Sequence, residues 1–209
     1  VNLTPQTVAF LDIDTQFDFM VRGGRLYAEG AETIIPNLRK LVRFAQQRCI
    51  PLISSVDAHA PDDPEFKTWP PHAVVGTRGQ KKLPETLLGN EVYVPNSAAA
   101  VLPDMRRFHV VLEKQDFPIF TNPAAEQAIR ESGATTFVVF GVVTEVCVKH
   151  AVLGLLTRGF EVVIVSDAVW PIAEQTGDTA LAEMKMQGAT LATTDYIVAE
   201  LSQLSSSSA

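Results

Sequence analysis

Short apolar runs rich in β-branched residues alternate along the chain with longer stretches whose apolar positions recur every three to four residues. Runs at 7–13 (TVAFLDI), 51–56, 110–112, 136–142 (TFVVFGV), 161–165 and 189–192 predict six strands. Ile34, Ile35, Leu38, Leu41, Val42 and Ala45 mark one face of a helix over 31–48, with Pro36 early enough to be tolerated. Further helices are expected over 123–132, ended by Gly133, over 144–158, over 172–186, and at the C-terminus, with one helical turn at 84–88. Thr144 is the expected N-cap of the 144–158 helix and Gly159 its C′ residue. Strands alternating with helices predict right-handed βαβ units: an α/β three-layer sandwich, with a mostly parallel six-stranded sheet flanked by helices. The pattern contains no repeat and no boundary, so 1–204 reads as a single domain and the serine-rich 205–209 as a frayed tail. Residues 57–82, rich in Pro, Gly, Asp and His, follow no period. A stretch that long inside a compact domain predicts a functional loop.

Composition narrows the function classes. Among 209 residues, 46% are hydrophobic and 20% charged, which excludes wholesale disorder. Seventeen Lys and Arg against 24 Asp and Glu give a net charge of −7 with no basic cluster, which argues against a nucleic-acid partner. The longest apolar stretch, 137–143, is too short to cross a bilayer, so no membrane partner is expected. The N-terminal apolar run is broken at Asp12 and does not read as a signal peptide. Two cysteines, Cys49 and Cys147, cannot make a disulfide framework and suggest reduced thiols in a cytoplasmic protein.

In a parallel sheet the chemistry gathers at the carboxyl ends of the strands. That rule selects Asp14, Asp57, Lys114 and the turn 143–147. Cys147 lies in the first turn of a helix, where unpaired N–H groups and the helix dipole favour a thiolate, although a buried structural cysteine is the commoner case. Cys49, at a helix end before Pro51, has no such setting. A carboxylate after the first strand could act as general base. Asp12, Asp14 and Asp18 all lie there, and Asp12 falls within the strand and is the weaker candidate. Lys114 could stabilise negative charge beside Cys147 or be a surface lysine. Asp57-Ala58-His59, with Glu65 and His72 in the same loop, has the oxygen and nitrogen donors of a Zn, Fe or Mn site, with Asp62 and Asp63 near enough to replace Glu65. Phe19 and Trp69 could wall a slot for a small ring or simply pack the loops.

Together these residues resemble the isochorismatase-like cysteine hydrolases, and within them the nicotinamidases, from Val8 to about Ala199. Asp14-Thr15-Gln16-Phe17-Asp18-Phe19 with Gly23-Gly24 is similar to the D-x-Q-x-D-F…GG opening of the family. Asp57-Ala58-His59, Trp69-Pro70-Pro71-His72 and Gly76-Thr77 look like the D-x-H…WPxH…GT signature, and 141–148 like G-x-x-T-x-x-C-V. The resemblance implies a Cys147 nucleophile, Asp14 as proton shuttle and Lys114 as third member. It also implies a cis Val142–Val143 bond and an oxyanion hole from the N–H groups of Val143 and Cys147. Asp57, His59, His72 and, in some members, Glu65 would bind a divalent metal, zinc being expected with iron or manganese as alternatives. Phe19, Trp69 and Val143 would contact the substrate. The implied activity is deamination of nicotinamide or a similar aromatic amide through a thioacyl-enzyme, with a ureido or carbamoyl substrate, or a non-catalytic binding role, as the other readings. A homo-oligomer is the expected assembly. The Asp14–Lys114–Cys147 group is not expected to depend on the ion, so the metal-free protein should still react with a thiol-directed alkylating agent. Val143 and Val146 depart from the residues usual in nicotinamidases and alter the pocket wall.

Overall fold

The computed structural model describes residues 3–203, so the 205–209 tail lies outside the described residues. It contains one sheet of seven parallel strands in the order β3-β4-β2-β1-β5-β6-β7, one more than the sequence predicts. The strands are β1 (Val8–Ile13), β2 (Leu52–Asp57), β3 (Glu91–Val94), β4 (His109–Lys114), β5 (Thr136–Val142), β6 (Glu161–Trp170) and β7 (Thr190–Ala192). The added strand, β3, is a four-residue edge that pairs only with β4 and is half-exposed. Such a strand has too little apolar patterning to stand out from its neighbours.

All residues of β1 are buried, because both faces of the sheet are covered. Val8 and Phe10 pack with Leu38, Leu41 and Val42 of α2 (Ile35–Arg48) and with Ile197 and Leu201 of α6 (Thr194–Gln203). Ala9, Leu11 and Ile13 face Ala128 and Ile129 of α3 (Ala125–Glu131), Val152 and Leu155 of α4 (Lys149–Leu156) and Met184 of α5 (Glu174–Met186). The short α1 (Phe17–Met20) lies in the segment after β1. No helix among the described residues is long and apolar enough to cross a membrane.

The helix expected over 144–158 begins differently. Residues Thr144–Val148 form a wide turn in which Val148 N–H donates to Val143 O at 3.2 Å, five residues back. Thr144 is the first residue of that turn rather than its cap, and its buried hydroxyl has no hydrogen-bond partner among the described residues. Gly159 takes the expected C′ place. Its φ is +83°, and Phe160 N–H closes onto Leu155 O at 3.2 Å. Gly141, at φ +118°, lets β5 approach β1 closely, since a Cβ there would lie 2.1 Å from Ile13 O.

Candidate active site and metal centre

The chain runs β1, β2, out to the edge strand β3, back inward to β4, and then crosses to the other side of β1 for β5. The point of reversal lies between β1 and β5, where open α/β sheets place their ligands. Four neighbouring strands, β4, β2, β1 and β5, deliver Lys114, Asp57, Asp14 and Cys147 to this one edge. Asp57 and Lys114 close their strands as register partners. Asp14 leaves β1 with φ +49°, a left-handed conformation that aspartate accepts more readily than most residues.

Lys114 is 1% exposed and is the hub, so its alternative as a surface lysine does not hold. Its Nζ lies 2.9 Å from Asp14 Oδ2 and 3.5 Å from Cys147 Sγ, and it donates to Asp57 Oδ1. Asp14 Oδ1 accepts from Ser55 Oγ at 2.7 Å. Burial alone would lower the Lys114 pKa. Asp14 and Asp57 outweigh it and hold the ammonium well above its ordinary range. Burial pushes the Asp14 carboxyl up, against the opposing pull of Lys114. Asp57 is likewise penalised by burial, yet Lys114 and His59 carry it below the usual carboxylate range.

Cys147 departs from expectation. Burial drives its thiol well above the ordinary value, Lys114 offsets this in part, and Asp14 and Asp57 push it further up. Desolvation therefore opposes the thiolate that a helix terminus favours. Asp14 is placed to take the thiol proton. The Val142–Val143 bond is cis, as the resemblance implies.

The other oxygen of Asp57 faces the loop. Asp57 Oδ2 is 3.9 Å from both His59 Nε2 and His72 Nε2. Glu65 closes the opposite side, 3.9 Å from His72 Nε2 and 4.0 Å from His59 Nε2. Two imidazoles between two carboxylates form a nitrogen and oxygen donor set suited to a divalent ion. Two observations of tautomer and satisfaction agree with that use. His72 Nδ1–H donates to Pro70 O at 2.9 Å, which leaves Nε2 as a lone pair. His59 Nδ1 meets Asp63 Oδ2 at 3.0 Å, while its buried Nε2 has no hydrogen-bond partner among the described residues. Of the acidic residues in this segment, Glu65 faces the centre and Asp63 supports His59 from outside.

The loop is fixed by the segment after β1. Gln16 donates through Nε2 to Asp57 O at 2.8 Å and Gln80 O at 2.7 Å, and its Oε1 accepts from Asp57 N–H at 2.8 Å. Asp18 Oδ2 accepts from Ala73 N–H at 2.8 Å, beside His72, and Gly79 is needed there because a Cβ would sit 2.0 Å from the Asp18 carboxylate. The rings against His72 among the described residues are Phe19 at 5.5 Å, Phe66 at 5.7 Å and His59 at 4.7 Å. Trp69 is not one of them. It is half-buried, and its N–H donates to Glu65 O at 3.0 Å. Val143 lines the start of the Cys147 turn and is 9% exposed, with Val146 half-buried beside it. Phe66 and the Gln16 clamp escape a sequence reading. Phe66 could have been sought as an aromatic lodged between candidate ligands.

The triad and the donor set are thus joined through one carboxylate, Asp57.

Sequence comparison matches residues 8–196 to the Isochorismatase domain. The nicotinamidase of Escherichia coli K12 is 29% identical over 205 residues, covering 88% of this chain and 94% of that protein. An isochorismatase-like hydrolase from Alkaliphilus metalliredigens superposes with a TM-score of 0.77 at 27% identity, over 92% of this chain and 97% of the other. The pyrazinamidase of Pyrococcus horikoshii, solved in complex with zinc, gives 0.73 at 26% identity, over 89% and 98%.

Proposed function

The chain belongs to the isochorismatase family, an isochorismatase-like hydrolase, and from that premise we propose that it is a metal-containing cysteine amidohydrolase that deaminates nicotinamide or a similar small aromatic amide. The observation that carries this reading is Asp57, with one oxygen on Lys114 and the other facing His59 and His72. It sets a buried thiol triad directly beside a donor set for a divalent ion.

Cys147 Sγ attacks the amide carbon while its proton passes to Asp14, whose raised pKa suits it to receive and return a proton. The Lys114 ammonium stabilises the thiolate that forms and holds Asp14 in place. The N–H groups of Val143 and Cys147 donate to the developing oxyanion. Asp14 then protonates the leaving nitrogen, ammonia departs, and Cys147 is left as a thioacyl ester. Asp14 next draws a proton from water, which attacks that ester, releases the acid and restores the thiol. Asp57, His59, His72 and Glu65 would hold the ion, zinc by preference, with iron or manganese suited to the same donors. The ion would supply a Lewis-acidic anchor for a ring nitrogen. Phe19, Trp69 and Val143 would wall the ring. The reading suits a reducing cytoplasm, where Cys147 stays free.

Two results test it. Asp57→Ala and His72→Ala proteins should each lose stoichiometric metal in elemental analysis, and retention in both would remove the centre. Chelation should suppress ammonia release from nicotinamide about tenfold more than from benzamide, which lacks the ring nitrogen, because the anchor acts by orientation. Equal suppression would refute the anchoring role. Release from a carbamoyl substrate with none from either amide would favour the other enzymatic reading.

A further inference from the structure

A second fully buried cation lies outside the triad. Lys82, 2% exposed, places Nζ 2.7 Å from Asp12 Oδ2 and 2.7 Å from Thr15 Oγ1. Asp12 Oδ2 is also approached by Ser54 Oγ at 3.3 Å and Thr15 Oγ1 at 3.2 Å, and Thr15 Oγ1 meets Thr86 Oγ1 at 3.0 Å. Asp12 Oδ1, equally buried, has no hydrogen-bond partner among the described residues. A buried pair with an unsatisfied oxygen is poor stabilisation compared with apolar residues of the same size. What it supplies is registry, because a charge that can be satisfied at one depth only fixes the backbone that carries it.

The backbone carrying Lys82 is the return of the loop. Residues 79–83 run beside 15–18, with Gln16 and Lys82 bridged antiparallel. Asp18 N–H donates to Gly79 O at 3.1 Å, Phe17 N–H to Lys81 O at 3.0 Å, and Leu83 N–H to Thr15 O at 2.9 Å. Between these lies Gln80 O, which shares the Gln16 amide with Asp57. A slip of one residue would turn Lys82 away from Asp12 and remove Gln80 O from Gln16. We propose that Lys82 is a positioning residue. Its ion pair with Asp12 sets the register of strap 79–83, and through the Gln16 amide it fixes Asp57 between Lys114 and the donor set. The link to metal rests on the amidohydrolase reading above, whereas the link to Lys114 does not.

The test uses the full chain carrying Asp12→Leu and Lys82→Met together, which removes both charges and leaves neither unpaired. Co²⁺ affinity is read from its visible absorption, and the alkylation rate of Cys147 by iodoacetamide is read in a Cys49→Ser background. The expected result is an unchanged thermal midpoint with Co²⁺ affinity lowered about 10–100-fold, the range for residues that orient metal ligands. Alkylation should slow about threefold or more as Lys114 loosens from its place beside Sγ. If the double variant does not fold, Thr15→Val takes its place, with both shifts expected in the same direction. Parent-like affinity and parent-like alkylation in a folded variant overturn the proposal. If the parent itself binds no Co²⁺, the metal reading fails alone and alkylation decides: slowed, Lys82 positions Asp57 for Lys114; unchanged, the proposal falls.

Discussion

Ammonia release from nicotinamide is expected to fall by roughly 10⁴-fold or more in Cys147→Ala, with the thermal midpoint within a few degrees of the parent. Without Sγ no thioacyl bond can form, and neither Asp14 nor Lys114 is a nucleophile in this arrangement. Stability should survive because the substitution removes a single buried sulfur atom. Cys49→Ala is the control. Cys49 is exposed at the end of α2, far in sequence from the site, and its replacement should leave turnover unchanged. Rates come from ammonia release, and the covalent step from a trapped mass adduct on the parent that Cys147→Ala lacks. Full activity in Cys147→Ala would end the covalent mechanism.

Asp14→Asn should lower kcat by about 10²–10⁴-fold, the usual contribution of a positioned base. Asparagine keeps the size of the side chain and an oxygen for Ser55 Oγ. It loses the negative charge facing Lys114 Nζ at 2.9 Å and the capacity to accept the thiol proton. Asp12→Asn makes the informative contrast. Asp12 faces Lys82, Ser54 and Thr15 rather than Lys114. Its replacement strands a buried ammonium, which costs about 3–5 kcal/mol of stability, while kcat falls far less than in Asp14→Asn. Denaturation midpoints and steady-state kinetics on both proteins separate the effects. The reverse order in kcat would assign the base to the wrong carboxylate.

The long, β-branched strands and the one-faced helix α2 were legible because burial on a sheet writes periodicity into sequence. β3 was not, since an edge strand needs only one neighbour and half its side chains stay in water. Asp14, Asp57, Lys114 and Cys147 could be picked out as strand-end residues, and the structure brings them together. Their protonation could not be read this way. The helix-terminus argument favours a thiolate at Cys147, but it counts local dipoles and omits the water lost on burial, which depends on strands distant in sequence. The Asp57 bridge was hidden for a related reason. A carboxylate has two oxygens, and spacing along a chain says nothing of how they are shared. Gln16 has no periodic signature at all, because a single amide bonded to two loop carbonyls and one N–H is a matter of tertiary geometry.

That clamp bears on when the chain becomes an enzyme as it folds. Gln16 reaches Asp57 across 41 residues and Gln80 across 64, Lys82 reaches Asp12 across 70, and Lys114 reaches Asp57 across 57. Each closure must overcome loop entropy before its contact gives any return, whereas α2 and the helix after β5 need only local bonds. Local helices can therefore precede the site, whereas the central pairing of Val8 in β1 with Thr136 in β5 is itself a distant closure. Until β1, β4 and β5 meet, Cys147 has neither Asp14 nor Lys114 beside it. A half-folded chain thus carries an ordinary cysteine, and the arrangement proposed for catalysis exists only once its distant segments have met.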